Sequence, residues 1–85
     1  MTTSGLLVTF DPNFAGQAEA MATIREAGPF NLGEAVDNRL PVGLEAPTPH
    51  DSAQWYDWLR RLPGVINIDV VSVEYEERED TDDNP

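Results

Sequence analysis

The run Trp58-Leu59-Arg60-Arg61-Leu62 is helix-compatible, is stopped by Pro63-Gly64, and passes at once into a β-branched stretch from Val65 to Tyr75. Pro63 cannot extend the helical hydrogen bonds, and Gly64 can take the left-handed conformation that turns the chain. Val65, Ile66, Ile68, Val70, Val71 and Val73 then favour an extended, pleated segment. A helix that drops directly into a final strand needs a sheet already begun for that strand to join. The stretch therefore points to a small α/β plait.

The rest of the chain supplies that sheet. Gly5-Leu6-Leu7-Val8-Thr9-Phe10 reads as a first strand, with Leu6, Val8 and Phe10 on one face and Leu7 and Thr9 on the other. Apolar residues on both faces indicate a central strand. Asp11-Pro12-Asn13 offers a helix start, with Asp11 or Asn13 as cap. The spacing of Phe14, Ala18, Met21 and Ile24 predicts a helix over 13–27 with one narrow apolar stripe, ended by Gly28-Pro29. Two strand-like runs follow, 30–36 and 40–46, joined at Asp37-Asn38-Arg39, where Asp and Asn tolerate positive φ. Leu40, Val42 and Leu44 alternate with Pro41, Gly43 and Glu45. Pro41 is expected at the strand's start, and Gly33 and Gly43 at bulges rather than as gaps left for a ligand.

Thr48-Pro49-His50-Asp51 is the strongest local signal: an N-cap threonine, proline at the first helical position and an acid two residues on. Trp55, Trp58, Leu59 and Leu62 form the inward stripe of the helix that follows, with Asp57, Arg60 and Arg61 facing water. Both tryptophans are expected in the core. The order strand, helix, strand, strand, helix, strand gives an α+β fold, a ferredoxin-like βαββαβ plait: a four-stranded antiparallel sheet with two helices on one face. Its other face stays open, and function is expected there.

A chain of 85 residues makes one domain, here residues 1–75. Residues 76–85 carry six acids, one base and nothing apolar, and are expected to be a disordered acidic tail. Without cysteine there is neither a disulfide framework nor a thiolate metal site, and the single histidine, His50, builds no histidine site, so no metal or cofactor is expected. Met1-Thr2-Thr3-Ser4-Gly5 lacks the charged start and apolar run of a signal peptide, and no stretch approaches a membrane span. The expected location is the cytoplasm.

Sixteen acids against five bases, all arginine, give a net charge of −11, the wrong sign for nucleic acid and suited to a cationic partner. Catalysis finds little support. Ser4, Ser52 and Ser72 have no adjacent base, His50 falls in an exposed first helical turn, and no phosphate-binding glycine loop occurs. The chain is not expected to be an enzyme. Arg60-Arg61 is read as a complement to the helix C-terminus. The acids Glu34, Glu45 and Asp69 fall in strand segments. They read either as solvated outward residues or as a rim around an apolar floor that includes Leu7 and Val71.

Gly5-Leu6-Leu7-Val8, Leu32-Gly33-Glu34, Leu44-Glu45-Ala46 and the stretch Trp58 to Val73 resemble, in order and spacing, the NapD family, cytoplasmic chaperones for assembly of the periplasmic nitrate reductase. Ser72-Val73 stands where the family often has a Tyr-His pair, so no role passes to those two positions. The resemblance implies binding of the twin-arginine signal peptide of a molybdenum-containing nitrate reductase catalytic subunit against the open sheet face, until its cofactor is inserted. The residues expected to line that face are Leu7, Thr9, Glu34, Gly43, Glu45, Asp69 and Val71, in a monomer or weak dimer. Asp11-Pro12, Arg25-Glu26-Ala27-Gly28 and Leu62-Pro63-Gly64-Val65 are also similar to ACT domains, which share the plait and bind small amino acids at dimer interfaces. Asn13-Phe14 replaces the glycine usual there.

Overall fold

The computed structural model describes residues 1–75; the acidic segment 76–85, and with it the expectation of a disordered tail, lies outside them. The elements are β1 (Thr2–Phe10), α1 (Gln17–Glu26), β2 (Phe30–Leu32), β3 (Arg39–Ala46), α2 (Pro49–Arg60) and β4 (Val65–Tyr75). All strand pairs are antiparallel, in the order β2-β3-β1-β4. This is the expected ferredoxin-like plait.

The core follows from alternation. Along β1, Thr2, Ser4, Leu6, Val8 and Phe10 are buried, and across the β1–β3 ladder Val8 faces Leu40, Leu6 faces Val42 and Ser4 faces Leu44. Ile24 from α1 and Leu59 from α2 close over them, both with no exposed surface. Each such side chain contributes about 1.5–3 kcal/mol on burial, so a few of them decide the stability of a domain this small.

Helix α1 departs from expectation at its start. Asp11 does not cap it: Asp11 Oδ1 accepts from the Asn13 amide at 2.9 Å and Asp11 O from the Phe14 amide at 2.9 Å, a local turn. The helix begins only at Gln17, with Gly16 as N-cap and no side-chain cap. Beginning later, it buries Ala20 and Ile24, with Met21 half-buried, and leaves Ala18 exposed. Helix α2 starts as its signals predict but ends at Arg60, so Leu62 lies beyond it, and Trp55 and Trp58 are half-buried against the core rather than within it. Thr48 is extended (φ −136°, ψ 160°), its Oγ1 accepts from the Asp51 amide at 3.1 Å, and Pro49 opens the helix. Trp55 and Trp58 pack on Phe30, Trp55 edge-on at 5.4 Å between ring centroids and Trp58 stacked at 5.8 Å.

Between β2 and β3, Val36 and Arg39 exchange both backbone hydrogen bonds (2.9 and 3.0 Å), and Asp37 takes a positive φ of 56°. Asn38 pins this hairpin to the end of β1: its Nδ2 donates to Phe10 O at 2.7 Å, and its carbonyl accepts from the Phe10 amide at 2.8 Å. Strand β2 stops at Leu32, short of the expected 36.

Pro41 lies inside β3 rather than at its start, in a strand with neighbours on both sides. Its carbonyl accepts from the Gly33 amide at 2.8 Å, so this residue turns its backbone towards the β2 side, just beyond the end of β2. The N–H that proline lacks is therefore not missed by the β1–β3 ladder. Gly43 marks no bulge, because the register from Thr2–Ala46 to Thr9–Arg39 is unbroken, and Gly33 lies past the end of β2. The irregularities are in β4, where the pairing shifts opposite Gly5/Leu6 and opposite Thr9/Phe10. The first shift is the break in alternation already visible at Val70-Val71.

Candidate functional site

The sheet face away from the helices is built of cross-strand rows. At one end Thr3 lies between Glu45 on β3 and Glu74 on β4. Next, Gly5 lies between Gly43 and Ser72, with Asn31 of β2 beyond Gly43. Then Leu7 lies between Pro41 and Asp69, and at the far end Thr9 lies between Arg39 and Asn67. The rows run from acidic, through side-chain-poor and apolar, to a single arginine.

The two glycines hollow the middle of this surface. Leu7, Pro41 and Val71 surround them, and Gly33 completes an open trough of ≈ 410 Å³. At the β4 bulge Val70 turns to the helix side and Val71 to the trough, and Val71 is 70% exposed. Strands in a sheet lie about 4.8 Å apart, which sets Glu45 and Glu74 about 10 Å from each other across Thr3. That gap admits a cationic group between two carboxylates.

Of the residues named from sequence, Leu7, Thr9, Gly43, Glu45 and Asp69 occupy this face and Val71 lines its trough. Glu34 does not join them on a strand: it follows the end of β2 in irregular chain, exposed. Sequence reasoning missed Pro41, Gly5, Glu74 and Arg39. The first two were legible as the outward partners of Leu40 and Leu6, but Glu74 could be placed only once the shift in β4 was known. Among the described residues no group of three or more His, Asp or Glu is arranged to hold a metal ion. His50 is exposed at the start of α2, with Gln54 as its neighbour at 3.2 Å.

No protein-family model matches the sequence, and no curated protein matches it. Among solved structures, the chain superposes on the solution structure of the E. coli Tat proofreading chaperone protein NapD with a TM-score of 0.73, covering 98% of this chain and 85% of NapD. The fold is that of NapD. At 15% identity the likeness to NapD lies in the architecture. No helix among the described residues is long and apolar enough to cross a membrane.

Proposed function

We propose that the chain is a NapD-like chaperone that binds the twin-arginine signal peptide of a periplasmic nitrate reductase catalytic subunit and holds it until the cofactor is inserted. One observation carries the reading: the sheet face left open by both helices combines an apolar, glycine-floored trough with acids at one end. A twin-arginine peptide is cationic at its start and apolar beyond it. Its arginines suit the Glu45–Thr3–Glu74 row, and its apolar stretch suits the trough of Leu7, Pro41 and Val71. Asp69 beside Leu7 adds a second negative contact, and Arg39 at the opposite end disfavours a reversed peptide. The net charge of −11 assists encounter with such a ligand.

The test is a titration of the isotope-labelled protein with a synthetic twin-arginine signal peptide. Resonances of Leu7, Thr9, Gly43, Glu45 and Asp69 are expected to move, and Gly43→Leu is expected to abolish the effect. A side chain at 43 meets Asn31 O at an ordinary 3.6 Å, so leucine fits the sheet while filling the trough. Saturating peptide that leaves these resonances unmoved would refute the reading. A dimer whose melting temperature rises with a small amino acid would favour an amino-acid-sensing role in its place.

A further inference from the structure

The helix-covered side of the sheet holds a second recess, separate from the open face. Between the first turns of α2 and the outer strand β4 lies a cleft of ≈ 280 Å³, walled by Leu6, Leu44, Tyr56, Val70 and Val73 and open beside Ala53. Val70 and Val73 are 53% and 44% exposed although they face the helix side, because α2 does not reach over this part of β4. The floor is polar. Thr2 and Ser4 are 3% and 5% exposed; the Ser4 hydroxyl meets Ser52 only at 3.5 Å, and the Thr2 hydroxyl has no hydrogen-bond partner among the described residues. A buried hydroxyl left in that state costs free energy until a ligand supplies its partner.

The same cleft borders a free sheet edge. Among the described residues no strand lies beyond β4. The Phe10 amide reaches Asn38 on the β3 side, and the Asp11 amide reaches Gly64 on the β4 side, so odd-numbered residues of β1 bond β4. Their partners Asn67, Asp69, Ser72 and Glu74 point inward, leaving Ile68 and Val73 to direct their backbone groups outward. Tyr56 already donates to Ile68 O at 3.4 Å, which closes the edge on that side and leaves residues 70–74 open.

We propose that an extended polypeptide segment with alternating uncharged and basic residues adds as a strand to β4 at residues 70–74, inserting its uncharged side chains into the α2–β4 cleft. Strand addition takes affinity from main-chain hydrogen bonds and specificity from pockets for alternate side chains. Alternation places the basic side chains of the guest on the opposite face, beside Asp69 and Glu74. Those acids also argue against a second copy as occupant, since pairing two β4 edges crowds both sets of carboxylates along one seam between chains of charge −11. The site goes beyond the signal-peptide reading: its pocket lies on the helix side of the sheet, and only the guest's basic side chains reach Asp69 and Glu74, the acids bordering the open face.

The probe is an octapeptide alternating arginine with valine and threonine, compared with a version N-methylated at alternate residues. The unmodified peptide is expected to shift the amides of residues 70–74 and Ser52, and the N-methylated one is not. Val73→Pro removes an outward N–H without touching the β1–β4 ladder, and Ala53→Phe fills the cleft from an exposed position. Each is expected to weaken octapeptide binding about tenfold or more, the loss that accompanies a missing hydrogen-bond pair or a blocked pocket. Both are expected to leave the melting temperature and the response to the twin-arginine peptide in place. Gly43→Leu, on the open face, is expected to leave octapeptide binding intact, which separates failure of one site from failure of the other. Three results would overturn the proposal: unmoved amides at 70–74, equal binding of the N-methylated peptide, or a dimer that Val73→Pro dissolves.

Discussion

A Cβ on Gly64 would collide with the ring of Phe14. Gly64 also has a φ of 85°, so the residue after Pro63 must be glycine both for its own backbone and for the aromatic ring lying over it. Phe14 in turn stacks on Phe10, with centroids 6.4 Å apart, which joins the turn before β4 to the end of β1.

This pairing predicts a graded response. Gly28 has a φ of 110° with nothing near its missing Cβ, so Gly28→Ala carries backbone strain alone, about 1–2 kcal/mol. Gly64→Ala adds a collision, typically about 1–3 kcal/mol more. In a Phe14→Ala background the penalty of Gly64→Ala is expected to shrink towards that of Gly28→Ala. Chemical denaturation of the wild type, Gly64→Ala, Phe14→Ala and the double variant forms the cycle; strictly additive penalties would show that the ring is not the obstacle.

Helix α2 depends on its cap. Thr48→Ala is expected to lower stability by about 1 kcal/mol and Thr48→Ser by much less, because serine keeps the oxygen that accepts from the Asp51 amide. Denaturant midpoints compare the two directly.

Phe30 organises the tryptophans. Phe30→Ala removes a buried ring that contacts both Trp55 and Trp58, and is expected to cost about 3–5 kcal/mol. Phe30→Leu keeps most of the volume and is expected to cost less. Tryptophan emission should move to longer wavelength in the first variant at native conditions and hardly at all in the second.

Charge reversal on the open face has a sign that depends on position. Under the proposed orientation, Glu45→Lys and Glu74→Lys weaken twin-arginine peptide binding, by a few-fold each at low salt, given that exposed charge pairs contribute about 0.2–1 kcal/mol. Arg39→Glu, at the far end, leaves affinity unchanged or slightly raised. Calorimetric titration at two salt concentrations measures both effects, and equal losses from all three variants would argue against the orientation.

Much of the architecture was legible. The alternation in β1 identified a central strand, Thr48-Pro49 started α2 where expected, and Pro63-Gly64 delivered the chain to β4. These signals are local: a cap, a missing N–H, a period of two. Where competing local signals existed, sequence misplaced the outcome. Asp11 and Asn13 are both good caps, yet Asp11 spends its carboxylate on the Asn13 amide, so α1 starts later and Ala18 turns outward. Glu34 lost its strand position because β2 ends at Leu32.

The sequence by itself determined which residues could be apolar floor, cap and turn, because those roles rest on side-chain type and spacing along one segment. Only the tertiary structure decided how the strands lie against one another. It set Gly43 beside Gly5 to hollow the open face, carried Val71 into that hollow through the β4 bulge, and brought Glu74 level with Glu45. Register is a property of pairs of strands, and a single extra residue in one of them moves every side chain beyond it to the other face. No reading of one segment contains that information.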